Sequence, residues 1–280
     1  MSKYCFGVDV GGTTVKLGLF DLEGNVQDKW EIITRTEENG KNILPDVAKS
    51  VLDKMAEKNI AKDEVAGIGI GVPGPAVQAG NDANVAALGE MWRGGGQGFG
   101  NMVLVTLGTG VGGGVILGGK ILTGATGAAG EIGHIHIEDK EGDACGCGNH
   151  GCLEQYASAT GIVRLAKRRL EADTKDSVLR QGEVSAKTVF DAVKAGDEVA
   201  CEIAEQFGQY LGKGLAAIAA VVNPEAFVIG GGVSKAGDIL CQYITKYYEK
   251  YAFHGCMNAQ FKLATLGNDA GIYGAAKLVL

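Results

Sequence analysis

Two stretches of this chain repeat one design. In Val8-Asp9-Val10-Gly11-Gly12-Thr13-Thr14-Val15-Lys16 a β-rich run meets a glycine pair and a second β-rich run follows, which is the pattern of a hairpin. Strand, glycine turn and strand recur in Thr106-Leu107-Gly108-Thr109-Gly110-Val111-Gly112-Gly113-Gly114-Val115, roughly a hundred residues on. One such hairpin opening each half of a 280-residue chain predicts two related α/β lobes facing each other across a cleft. Glycine is also the compositional outlier, with 46 residues against a usual share of ~7%.

The turns carry a chemistry. Backbone N–H groups at Gly11 and Gly12 are unshielded by any Cβ, and with the Thr13 and Thr14 hydroxyls and the neighbouring Asp9 and Lys16 they form a set able to hold a phosphate and position a divalent cation. A triphosphate held between the lobes would touch this turn and the second one, at Gly108, Thr109, Gly110 and Gly112. A third glycine run lies in Ala226-Phe227-Val228-Ile229-Gly230-Gly231-Gly232-Val233-Ser234, after an apolar helical stretch over 210–222 and a helix stop at Asn223-Pro224. A buried strand ending in Gly230, Gly231 and Gly232, with Ser234 placed to start the next helix, puts bare backbone at the carboxyl end of a sheet. Nucleotides bind α/β proteins at that end.

Charge narrows the partners. A formal charge of −7 lacks the basic face that nucleic acid requires, and the densest cationic cluster, Lys167-Arg168-Arg169, reads as the solvated face of a helix. No stretch approaches the apolar length of a membrane span without a glycine or a charge, so no membrane partner is expected. Met1-Ser2-Lys3 runs straight into a strand-like segment, leaving no room for a signal peptide. Seven cysteines, three of them crowded into Cys145-Gly146-Cys147-Gly148-Asn149-His150-Gly151-Cys152, suit a metal in a reducing cytoplasm better than a disulfide framework. Glycines at 146, 148 and 151 let the chain fold tightly enough for three thiolates to converge. A tetrahedral Zn²⁺ then needs a fourth ligand, for which His134, His136 and His150 are candidates.

With its three glycine runs in this order, the chain resembles the actin, hexokinase and heat-shock-chaperone ATPase superfamily. The resemblance implies an α/β, two-lobed, actin/hexokinase-like (ribonuclease H-like) fold with an inter-lobe active-site cleft. Asn81-Asp82-Ala83-Asn84-Val85-Ala86-Ala87-Leu88-Gly89-Glu90, Gly130-Glu131-Ile132-Gly133-His134 and the cysteine run continuing into Leu153-Glu154 look like the signatures of the ROK family. That family contains repressors, uncharacterised reading frames and sugar kinases, and the resemblance spans the chain from Val8 to its final helix. It implies ATP- and Mg²⁺-dependent phosphorylation of a hexose, glucose to glucose 6-phosphate, by a homodimer or homotetramer. It selects His134 as the fourth ligand of a structural zinc, and places Gly74, Asn81, Asp82, Glu131, His134 and Glu154 at the sugar. Asp82 is then the general base, whereas in isolation it reads as the N-cap of a helix over 83–92. Rival readings are a kinase for N-acetylmannosamine, fructose or allose, and a sugar-sensing regulator. The family's repressors add an amino-terminal DNA-binding module, and this chain opens directly on its first strand.

One place departs from the family pattern. Val65–Val72 reads as a buried strand and Val77–Gly80 as another, yet only Pro73 to Ala76 connect them. Parallel neighbours need a crossover of a dozen or more residues, and the family's members carry a longer segment here that closes over the sugar. A segment is therefore missing between Ala76 and Val77, from the protein itself or from the chain as written. The expected domains are a small lobe, 1–100, completed by a terminal helix over 267–280, and a large lobe, 101–266, that contains the zinc loop.

Overall fold

The structure, a computed structural model, describes residues 2–72 and 82–280. Its first element is the expected hairpin: β1 (Tyr4–Val10) pairs antiparallel with β2 (Thr14–Asp21), with Val10 opposite Val15 on either side of the glycine turn. β3 (Val26–Ile33) extends the sheet, α1 (Ile43–Glu57) follows, and β4 (Val65–Gly71) joins β1 in parallel, giving the order β3-β2-β1-β4. β4, the edge strand of this sheet among the described residues, is less buried there than its apolar sequence suggests. The proposed strand over 77–80, Gly74, Asn81 and the Ala76–Val77 join lie outside the described residues.

Strand alternation sorts β1 into two faces. Phe6, Val8 and Val10 point to the side covered by Val47, Val51 and Met55 of α1. Cys5, Gly7 and Asp9 point to the other side. There, α2 (Asp82–Arg93) packs with the last helix of the chain.

The second sheet begins with the second glycine hairpin, β5 (Met102–Leu107) and β6 (Val111–Leu117), and β6 turns tightly into β7 (Lys120–Ile121). A long connection holding the cysteines leads to α3 (Glu154–Ala157), α4 (Ala159–Ala172), α5 (Ala186–Lys194) and α6 (Glu198–Val222). The stop at Asn223 is as the sequence implied, since this residue adopts the left-handed conformation that ends helices. β8 (Ala226–Gly230), α7 (Asp238–Tyr251) and β9 (Gln260–Leu263) complete the order β7-β6-β5-β8-β9, in which β5, β8 and β9 run parallel. Ser234 does not start the helix after β8. It lies in a short 3-10 turn, Gly232–Ala236, where its hydroxyl donates to the Gly231 carbonyl, and α7 begins only at Asp238.

α8 (Ala270–Lys277) closes the chain against the first sheet. Its approach is backbone to backbone: a Cβ at Gly7 would meet the Ile272 carbonyl oxygen at 1.9 Å, and one at Gly69 the Ala275 oxygen at 1.7 Å. Glycine in these strands is therefore what seats α8. Two compact units result, Met1–Gly98 with Gly114–Ala129 and Thr265–Leu280, and Phe99–Gly113 with Gly130–Ala264. Among the described residues, no helix is long and apolar enough to cross a membrane.

Candidate active site

In the first unit the site grows from the β1–β2 register. Asp9 lies directly opposite Lys16, so both side chains stand on the face toward α8. A Cβ at Gly271 of α8 would lie 2.4 Å from an Asp9 oxygen, so glycine there makes room for the carboxylate. Burial raises the Asp9 pKa above the usual carboxylate range; Lys16 pulls it back down and Asp82 pushes it further up. Lys16, the cation opposite Asp9, donates to the Asn268 carbonyl at 3.1 Å. Asp82 is exposed and forms part of the first turn of α2, so the helix starts one residue earlier than expected. Its carboxylate accepts the Ala83 N–H at 2.7 Å.

The turn beyond Asp9 is held from behind. Gly11 N–H donates to the Thr14 carbonyl, and Thr34 ties to Thr13 and Gly11 through its amide and hydroxyl. Gly12 and Thr13 face solvent, with nothing within 4 Å of where a Gly12 Cβ would be.

In the second unit, the β5–β6 turn is braced by the helices after the cysteine loop. Gly108 O accepts from Ala159 N, Thr109 O accepts from the Thr160 hydroxyl, and Glu154 Oε2 accepts the Val111 N–H at 3.0 Å. The parallel pairing of Thr106 with Gly230 brings the third glycine run alongside. Gly231 has φ +81°, and any Cβ there would meet Leu107 backbone atoms at 2.5 to 2.6 Å. Gly232 is open and lines a cavity of about 360 Å³ with Ala159, Ser185, Ala186, Phe190 and Val233. A shallower depression of about 700 Å³ shares Ala159, Ser185 and Ala186 and reaches Thr109.

The cysteine loop folds as a knot beside this turn. Ligand atoms of His134, Cys145, Cys147 and Cys152 all lie within 4.8 Å of one another. Cys147 Sγ is 3.7 Å from Cys152 Sγ, and Cys145 Sγ is 3.7 Å from His134 Nδ1. A tetrahedron with ligands ~2.1–2.3 Å from its centre has edges of roughly 3.5–3.8 Å, so the four residues fit a zinc ion. The other histidine candidates are turned elsewhere. His136 uses one ring nitrogen on the His150 carbonyl and the other on Asp139, and His150 is outside the group. Burial pushes the Cys152 thiol up to about 12, whereas the Asn149 amide favours the Cys147 thiolate. A bound cation would hold all three sulfurs deprotonated.

Of three supports of this knot, Gln155 and Glu141 carried no motif in the sequence, while Gly151 belongs to the glycines singled out there. Gln155 accepts the Cys152 N–H and donates to the Asp143 carbonyl. Glu141, its side chain 1% exposed, accepts from the Tyr156 hydroxyl at 2.5 Å and pairs with Arg164 and Arg168. Gly151, at φ +72°, would drive a Cβ into the Glu138 carbonyl. Glu131 precedes the short 3-10 turn Ile132–His134, which His134 ends, with Glu131 exposed and Glu154 half-buried.

These features accord with known proteins. The ROK family model matches residues 5–80 and 75–280, two pieces that meet at the short connection after Gly74. The chain is 42% identical to a glucokinase of Halalkalibacterium halodurans, covering 99% of this chain and 95% of the relative. That alignment runs over 314 positions, more than the chain's 280 residues, so the relative carries residues absent here. Among solved structures, a ROK family glucokinase from Streptomyces griseus in complex with glucose and AMPPNP is 33% identical, with 98% of each chain covered and a TM-score of 0.72. A ROK hexokinase from Thermus thermophilus is 30% identical over 98% of this chain and 96% of its own, with a TM-score of 0.80. The α/β sheets, the paired glycine hairpins and the match along both pieces agree: this chain belongs to the ROK family, with the actin/hexokinase-like fold of its kinases.

Proposed function

We propose that the protein is an ATP-dependent hexokinase that phosphorylates glucose to glucose 6-phosphate. The observation that carries this reading is the match, over nearly the whole of both chains, to glucokinases that include one solved with glucose and a nucleotide analogue. Asp82 is the general base in this reading. It is exposed at the start of α2 and can accept a hydroxyl proton as the sugar oxygen attacks the terminal phosphorus. Glu131 and Glu154 accept hydrogen bonds from sugar hydroxyls, and His134 presents the ring nitrogen not used on zinc. The solvent-facing backbone at Gly12 and Thr13, and separately at Thr109, is open to phosphate oxygens, and the mostly apolar cavity beside Gly232 takes the base of the nucleotide. Asp9 would orient Mg²⁺ bound with the nucleotide, which would neutralise charge on the transferring group.

Zinc in the His134–Cys145–Cys147–Cys152 knot is structural, because four protein ligands leave no open position for water. A coupled assay over glucose, mannose, fructose, N-acetylmannosamine and allose, with ATP and with polyphosphate as donor, tests the reading. Highest kcat/KM with glucose and ATP is expected. No transfer to any hexose from either donor sinks it, and a preference for N-acetylmannosamine moves the substrate within the same chemistry.

A further inference from the structure

Glu90 closes the motif that opens with Asn81 and Asp82, and the reaction as described gives it no task. It is 1% exposed, and among the described residues it has no cationic partner within ion-pair distance. Its oxygens are taken by backbone. Oε2 accepts from Gly95 N at 2.8 Å and Thr265 N at 3.0 Å, and Oε1 accepts from Leu266 N at 2.9 Å. Its own carbonyl accepts from Gly94 and Gly96 N–H, so one residue binds five amides. The glycine run after α2 is shaped around it, since a Cβ at Gly94 would lie 1.9 Å from Oε2.

Two segments distant in sequence are fastened by this one carboxylate. The first is the exit from α2, the helix that begins at Asp82. The second is the connection that leads through Asn268, the Lys16 acceptor, into α8, where Gly271 makes room for Asp9. Between these ends the helices touch backbone to backbone: a Cβ at Gly89 would meet the Ala270 oxygen at 2.2 Å, and one at Gly274 the Val85 oxygen at 1.7 Å. α2 and α8 therefore form one block, with Asp82 carried by one helix and Asp9 packed on the other. We propose that Glu90 is a positioning residue for phosphoryl transfer, a clasp that fixes α2 to the entry of α8 and so fixes Asp82 relative to Asp9 and Lys16. The proposal rests on Asp82 acting as the base.

Glu90→Gln tests it with little change in volume. An amide group must point an N–H at an amide N–H, so at least one of the three side-chain bonds becomes donor against donor. The expected result is a fall of about ten-fold in kcat, with the KM for glucose and for ATP held within about two-fold, because displacement of a catalytic group penalises the chemical step more than ground-state binding. Amide exchange at Gly95, Thr265 and Leu266 should quicken by about the same factor, with exchange in β5 and β8 unchanged. A kcat within two-fold of wild type, or a fall in kcat matched by an equal rise in both KM values, overturns the proposal. If Glu90→Gln does not fold, the wild-type protein still decides: exchange at Thr265 and Leu266 as fast as in an exposed loop also overturns it. Wild-type protein that transfers no phosphoryl group to glucose refutes the kinase reading, a different outcome from an active enzyme indifferent to Glu90.

Discussion

The two glycine hairpins share a sequence design and are supported in opposite ways. Among the described residues, the turn at Gly11 to Thr13 is held by its own strands and by Thr34, and Gly12 and Thr13 are exposed. The turn at Gly108 to Gly110 is braced by side chains and backbone from the helices that follow the cysteine loop: Glu154 on Val111, Ala159 on Gly108 and Thr160 on Thr109. The first turn is built within the β1–β2–β3 meander, whose end supplies Thr34. The second depends on a loop that holds the four proposed zinc ligands and a buried ion-pair network, so the same motif has very different sensitivity to distant change.

Metal removal separates the two most strongly. Stripping zinc with a chelator, or replacing Cys152 by Ala, should cost more than ~5 kcal/mol of stability, given the binding energy of four-ligand structural sites. Amide exchange should accelerate across 134–154 and at Val111, and remain unchanged at Gly11 to Thr14. Elemental analysis should show one zinc per chain. Equal acceleration at both turns would contradict the contrast.

The ion-pair network comes next. Burial alone would push the Glu141 carboxyl up, but Arg168, the Tyr156 hydroxyl, the Asp143 amide and Arg164 outweigh it and hold the group down at about 2. A depressed carboxylate contributes stability that is complete above its ordinary pKa of 4.5 and is lost as pH falls from there towards about 2. Glu141→Gln should destabilise the protein at neutral pH by roughly 2–4 kcal/mol, because Arg164 and Arg168 lose their buried carboxylate and keep the exposed one of Asp143. Denaturant melts at pH 7 and pH 3 check both statements: the gap between wild type and variant should shrink at the lower pH.

For the proton chemistry, Asp82→Asn should reduce kcat by at least ~10²-fold, the lower end of what a positioned base contributes, while nucleotide affinity and zinc content stay near wild type. Turnover near the wild-type rate would remove Asp82 from the role.

Much of this contrast was legible in the sequence where local rules decide. The β1–β2 hairpin and the stop at Asn223 follow from short-range pattern, and alternation alone would have put Asp9 and Lys16 on one face once the turn was placed. The cluster of Cys145, Cys147 and Cys152 was legible because thiolates and glycines at that spacing have few other uses, whereas the spacing left the histidine open and only the family resemblance singled out His134. What pattern could not supply is whatever joins distant segments. Glu90 meets residues 175 and 176 positions away, and Glu141 meets its arginines 27 and 23 positions later, with nothing local to mark either carboxylate as buried. Ser234 misled because a hydroxyl after a strand resembles a helix cap, whereas here it closes a 3-10 turn one step before the helix.

The finest test exchanges one glycine in each turn for alanine. At Gly12 the new Cβ meets nothing within 4 Å and φ is not in the left-handed region, so Gly12→Ala should leave stability within ~0.5 kcal/mol of wild type. Any effect must then come from the ligand. If the exposed N–H groups of this turn hold a phosphate, a methyl group shields them and affinity for ATP falls a few-fold with glucose affinity unchanged. At Gly110 the Cβ would stand 2.2 Å from Glu154 Oε2, so the carboxylate must leave Val111 or the turn must open. Gly110→Ala should therefore lower kcat/KM for glucose by about ten-fold and loosen Val111 in amide exchange, because the displaced group is both brace and proposed sugar ligand. Calorimetric titration of each variant with AMPPNP and with glucose reads the difference directly. An ATP-only defect at Gly12 beside a combined defect at Gly110 sustains the distinction between an open turn and a braced one. Identical profiles for the two variants would mean that the turns do the same work despite their different supports.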